Sequence, residues 1–136
     1  MKKNITLVLV LLGLSLVLSA CGGSSASTSI DVTMTDFHFE PMDFTVPAGQ
    51  EITLNATNEG AVEHEFVIFK LGLDAGEKFG PEDEDNIFWE VEVLPGKSTS
   101  ATFTAPTEPG EYYVTCGIEG HLEAGMSAKF TVVAAK

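Results

Sequence analysis

The run VTCGIEGHLEAGM, Val114 to Met126, sets a thiol, an imidazole and a thioether five residues apart at Cys116, His121 and Met126. Gly117, Gly120 and Gly125 lie among them, which suits a loop able to turn its side chains toward one point. A fourth donor must come from elsewhere. His64 follows the turn-like NEGAVE at the start of a strand-like run and supplies a second imidazole. Taken singly, Cys116 also reads as a small buried hydrophobe, Met126 as core filler, and either histidine as a hydrogen-bonded surface residue. Taken together they read as a metal site. Zinc accepts a thiolate and two imidazoles, but a thioether is not one of its normal ligands. Two His, one Cys and a weak axial Met match an electron-transfer copper site.

Cysteine usage sharpens that reading. The chain has two cysteines, and the first directly follows an expected export signal. MKKN is a short basic lead, and Ile5 to Leu18 is an apolar run of 14 residues. That is shorter than the roughly 20 apolar residues a membrane-spanning helix needs and fits a secretory signal. The run ends in LSAC, which resembles the lipobox of bacterial lipoproteins and implies acylation of Cys21 after cleavage behind Ala20. The alternative is an ordinary cleavage site that leaves Cys21 as a thiol. Residues 1–20 are thus expected to be a signal peptide, and 21–29 a lipidated Cys with a flexible Gly/Ser tether whose eight residues after Cys21 span about 15 Å. Residues 30–136 are expected to form one domain. With Cys21 taken, Cys116 has no disulfide partner, and a spare thiol in an oxidising compartment is either buried or holds a metal.

The elements that must position these donors are strands. Alternation of apolar and polar residues, broken by PAG, NEG, PG and PTEPG turns, predicts strands over Ile30–Phe37, Met42–Val46, Glu51–Asn58, Glu63–Lys70, Ile87–Leu94, Ser98–Ala105, Glu111–Cys116 and Met126–Val133. Such a chain is all-β, an antiparallel β-sandwich of about eight strands. Leu71–Asn86 falls outside that rhythm and is expected to be a loop with at most a short helix. His38 alternates with Phe37 and Phe39, so it is expected to face away from the core.

On this scaffold the chain resembles the cupredoxins, the small blue copper proteins that include plastocyanin, azurin and auracyanin. The resemblance rests on C-x4-H-x4-M at Cys116, His121 and Met126, on the preceding PGEYYVTC, and on DFHFEP, VPAGQEITLNATNEG and HEFVI. It implies a Greek-key sandwich, one copper ion held near one end by His64, Cys116, His121 and Met126, and one-electron transfer without catalysis. Two positions depart from the family pattern. Glu65 stands where plastocyanins and azurins usually have Asn, and Gly117 stands where Ser or Thr is usual. Both belong to the surroundings that orient metal ligands and tune potential.

Charge bounds the partners. Without the signal, five basic residues, none of them Arg, stand against twenty acidic ones, a net charge of about −15. A nucleic-acid backbone would be repelled. The expected molecule is a monomeric electron carrier, anchored through its lipid to the outer face of the cell membrane or in the periplasm. Its expected partners are redox proteins such as a cytochrome or a membrane oxidase. The alternative is a lipoprotein for copper handling, delivery or resistance, which the Glu65 departure keeps open. Electrons are expected to leave by an exposed edge of His121, with Ile118 and Leu122 in an apolar docking patch. The run Glu82, Asp83, Glu84 and Asp85 reads either as a solvated loop or as an electrostatic docking surface.

Overall fold

The computed structural model describes residues 25–136; the expected signal peptide, Cys21 and the first part of the tether lie outside them. Among the described residues nine strands form two sheets: β1 (Ser29–Thr35), β2 (His38–Glu40), β3 (Asp43–Pro47), β4 (Glu51–Asn58), β5 (His64–Phe69), β6 (Ile87–Val93), β7 (Ser98–Thr104), β8 (Gly110–Thr115) and β9 (Ser127–Val133). One sheet has the order β2-β1-β4-β7 and the other β3-β9-β8-β5-β6. Non-consecutive neighbours within each sheet give the Greek-key character. Most pairings are antiparallel, but β1 pairs with β4 and β3 with β9 in parallel. Neither pair is consecutive in the chain, so no hairpin forces the antiparallel sense.

The core lies where the inner faces meet. β4 alternates buried Ile52, Leu54 and Ala56 with half-exposed polar residues, and β9 does the same with Ala128, Phe130 and Val132. Phe66 anchors the centre, with Phe39 at 5.5 Å and Phe44 at 5.3 Å, both edge-on. Trp89 of β6 stacks on Phe103 of β7 at 4.4 Å and joins the two sheets at their margin.

β5 breaks the alternation, with Phe66, Val67, Ile68 and Phe69 all buried. The segment 70–86 covers its outer side: Phe79 packs edge-on against Phe69 at 6.3 Å, and the Lys70 N–H bonds the Asn86 carbonyl at 2.9 Å. This segment contains the short helix, a 3-10 turn over Pro81–Asn86. The extra strand β2 is three residues long and was not expected. It is too short to show a period, and it pairs with β1 only over Thr33–Thr35. The tether was expected to run to Ser29, but Ser29 opens β1. The Ser27 N–H already bonds the Thr45 carbonyl, and the Thr28 carbonyl accepts the Thr53 N–H.

Candidate metal centre

Strand register brings the donors to one end of the five-stranded sheet. β5 and β8 run antiparallel with Val67 opposite Thr115, so His64 at the start of β5 lies at the end where β8 runs into Cys116. β8 and β9 pair with Thr115 opposite Ser127, which makes Cys116 and Met126 the two sides of a loop neck. The neck is closed by the Cys116 N–H and the Thr115 hydroxyl, which both donate to the Met126 carbonyl at 3.1 Å. Inside the loop, the His121 N–H bonds the Ile118 carbonyl at 3.1 Å and the Met126 N–H bonds the His121 carbonyl at 3.0 Å. Gly120 and Gly125 take φ of +85° and +97° in these turns, where a Cβ would be strained.

The three donor atoms converge. His64 Nδ1 lies 3.1 Å from His121 Nδ1 and 3.8 Å from Cys116 Sγ, and Cys116 Sγ lies 3.2 Å from His121 Nδ1. His64, Cys116 and Met126 have no exposed surface, and His121 is 6% exposed. His64 Nε2 lies 3.0 Å from Asp36 Oδ1. A carboxylate only accepts, so the proton sits on Nε2 and Nδ1 points its lone pair into the cluster. An imidazole lone pair beside a thiol sulfur and a second imidazole in a buried pocket is a donor set that fits a soft or borderline cation.

The surroundings bias the thiol and the imidazole. Burial pushes the Cys116 thiol up, while the backbone N–H groups of Glu65 and Ile118 act the other way; the Glu65 N–H lies 3.4 Å from Sγ. Burial, with His64 alongside, holds the His121 imidazole below its ordinary value. Asp36 is held low chiefly by the Ala61 N–H, with His64 adding to the effect. Glu65 is pushed up to about 7, first by burial and then by Glu90, Glu63, Glu92 and Glu84 around it.

The two departures from the family pattern turn out to be one feature. A Cβ on Gly117 would sit 2.2 Å from Glu65 Oε2 and 3.2 Å from Val67 Cγ2. The Glu65 carboxylate therefore occupies the space that a side chain at 117 would fill, directly beside the Cys116 backbone.

Other expected surface residues sit differently. Leu122 is 8% exposed and Ile118 packs partly against the core, so neither forms an open apolar patch. The exposed apolar side chain beside the site is Phe37: it is 41% exposed and lies edge-on to the His121 ring at 4.8 Å. Asp83 is only 6% exposed, because its Oδ2 accepts the Gly80 N–H at 2.9 Å and caps the 3-10 turn; Glu82, Glu84 and Asp85 are exposed. His38 faces solvent beside Glu40, as expected. Asp36 and Phe37 were missed by the sequence reading, which ran a strand through them. The Asp in a TDF turn was the only available hint, and nothing in its spacing ties it to a histidine 28 residues away.

A family model described as a cupredoxin-like domain matches residues 8–132. Auracyanin-A of Chloroflexus aurantiacus is 32% identical over 141 residues, covering 82% of this chain and 86% of the relative. A copper-resistant cuproprotein, CopI of Rubrivivax gelatinosus, is 32% identical over 117 residues, covering 80% of this chain and 68% of the relative. Among solved structures, reduced auracyanin from Roseiflexus castenholzii superposes with a TM-score of 0.69 at 33% identity, over 80% of this chain and 99% of that one.

Proposed function

This chain belongs to the cupredoxin-like family, and from that membership we propose that it carries single electrons between redox proteins outside the cytoplasm, held to a membrane by a lipid on Cys21. His64, Cys116, His121 and Met126 are arranged like a type 1 copper site. The observation that carries the reading is the convergence of two imidazole Nδ1 atoms and one thiol sulfur, all mutually within 4.8 Å, inside a buried pocket framed by paired strands. Copper held there supplies a reversible one-electron couple. The chain's part is to keep the donors still. The neck hydrogen bonds hold Cys116 and Met126 in register, the core fixes β5 behind His64, and Phe37 lies against His121 at the surface. If that frame keeps its geometry in both oxidation states, little rearrangement accompanies gain or loss of the electron, which favours a carrier over an enzyme.

The copper-handling reading keeps one observation in its favour, the similarity to a copper-resistant cuproprotein. One set of measurements separates the two. Loaded with one equivalent of Cu(II), the chain is expected to turn intensely coloured and to show a reversible couple with fast self-exchange. A sluggish couple that readily gives up Cu(I) to a chelator would favour handling. Absence of colour would overturn the copper site itself.

A further inference from the structure

His64 is buried without exposed surface, yet its outer nitrogen meets a carboxylate from the other sheet. Asp36, in the turn between β1 and β2, places Oδ1 3.0 Å from His64 Nε2. The carboxylate is itself anchored, because the Ala61 N–H lies 3.0 Å from Oδ2 and 3.2 Å from Oδ1. The loop that presents Ala61 is shaped by Asn58, also fully buried. Its amide Nδ2 donates to the Val62 and Val93 carbonyls at 2.8 Å each, and its Oδ1 accepts the Gly60 N–H at 2.8 Å. Gly60 then passes so close that a Cβ would lie 2.2 Å from Asp36 Oδ1 and 2.8 Å from His64 Nε2. Only a glycine there lets carboxylate and imidazole meet.

We propose that Asp36 is a positioning residue for the metal centre: its carboxylate, seated through Gly60 and the Ala61 N–H, fixes His64 with the proton on Nε2 and the Nδ1 lone pair aimed at Cys116 and His121. The arrangement extends the copper reading above, since it assigns the group that orients one ligand. Hydrogen-bonded partners of this kind fix tautomer and ring orientation and raise ligand basicity. The negative charge of Asp36 also favours the more highly charged oxidation state.

The test uses the full chain, first without metal. Ring 15N–1H correlation spectra should show His64 in one tautomer, protonated at Nε2. Asp36→Ala should mix the tautomers, whereas Asp36→Asn, whose amide oxygen still accepts, should keep the single form. Gly60→Ala keeps the carboxylate in the chain, but its Cβ must displace that carboxylate from His64, and it should reproduce the spectrum of Asp36→Ala. With Cu(II), Asp36→Ala should bind about 10–100-fold more weakly, and Asp36→Asn should recover most of that affinity while shifting the reduction potential upward. A single Nε2–H tautomer and unchanged affinity in both Asp36→Ala and Gly60→Ala would overturn the proposal. If Asp36→Ala does not fold, Gly60→Ala and Asp36→Asn decide it. A chain that shows the tautomer effect but binds no copper would instead refute the function proposed above.

Discussion

At the scale of single residues, the chemistry depends on which atoms face the donors. Cys116→Ser should abolish the colour of the Cu(II)-loaded chain, because an alcohol offers no thiolate-to-metal charge transfer; absorption spectroscopy checks it. Met126→Leu should keep the metal and raise the reduction potential, since a thioether stabilises Cu(II) better than a hydrocarbon does. An unchanged potential would mean that Met126 only fills space. The contact between Glu65 and Gly117 yields a third expectation. Gly117→Ala must push the Glu65 carboxylate outward, and because that group is the mobile end of a long side chain, the stability cost should stay near 1 kcal/mol or below. Above about pH 7, where Glu65 carries its charge, moving that charge away from the thiolate should raise the potential, and Glu65→Gln should do likewise. The double variant should shift the potential by no more than the larger single change, which a double-mutant cycle in voltammetry measures. Additive shifts would show that the two residues act apart. Cys116, His121 and Met126 were legible because they share one loop and one spacing. Asp36 was not, because its partner is remote in sequence and only folding brings the β1–β2 turn to the start of β5.

At the scale of elements, apolar patterning and turn residues located eight of the strands to within a residue or two, since a half-buried strand presents a period of two and a fully buried one such as β5 a short apolar run. The parallel partners of β1 and β3 left no such mark. Period says which face is buried and nothing about which neighbour lies alongside. The acidic segment shows a related gap. In sequence, Glu82, Asp83, Glu84 and Asp85 look equivalent, but Asp83 turns inward to hold the Gly80 N–H. Asp83→Ala should therefore cost about 1 kcal/mol of stability and loosen the cover over Phe69. Glu82→Gln, Glu84→Gln and Asp85→Asn should leave denaturant midpoints nearly unchanged. Equal effects at all four positions would contradict the cap.

At the scale of the whole molecule, charge decides which partners approach. A net charge of −13 extends beyond the acidic segment. Glu82, Glu84, Glu119 and Glu123 line a cleft of about 390 Å³ that also reaches Gly117, beside Cys116. A field so placed is expected to steer a positively charged partner toward the metal loop. Electron transfer to a basic redox protein should therefore slow steeply between 0.01 M and 1 M salt, as the screening length falls from about 30 Å to about 3 Å. Replacing Glu82, Glu84, Glu119 and Glu123 with Gln should flatten that dependence without altering colour, as stopped-flow kinetics would show. If salt and these changes have no effect while Phe37→Ala abolishes transfer, docking is apolar around His121. Separately, Cys21→Ala should release the protein from membranes with its spectrum intact; retention in the membrane fraction would exclude a lipid at that cysteine.

The donors and their supports come from opposite halves of the sandwich. His64, Cys116, His121 and Met126 hang on β5, β8 and β9 of one sheet, while Asp36 and Phe37 reach across from the β1–β2 turn of the other. The pigment is thus a gauge of the gap between the sheets. When force, pressure or denaturant begins to part them, the supports withdraw from both imidazoles before any strand leaves its ladder, so the blue absorption should fade ahead of the amide signal and report the seam opening in real time.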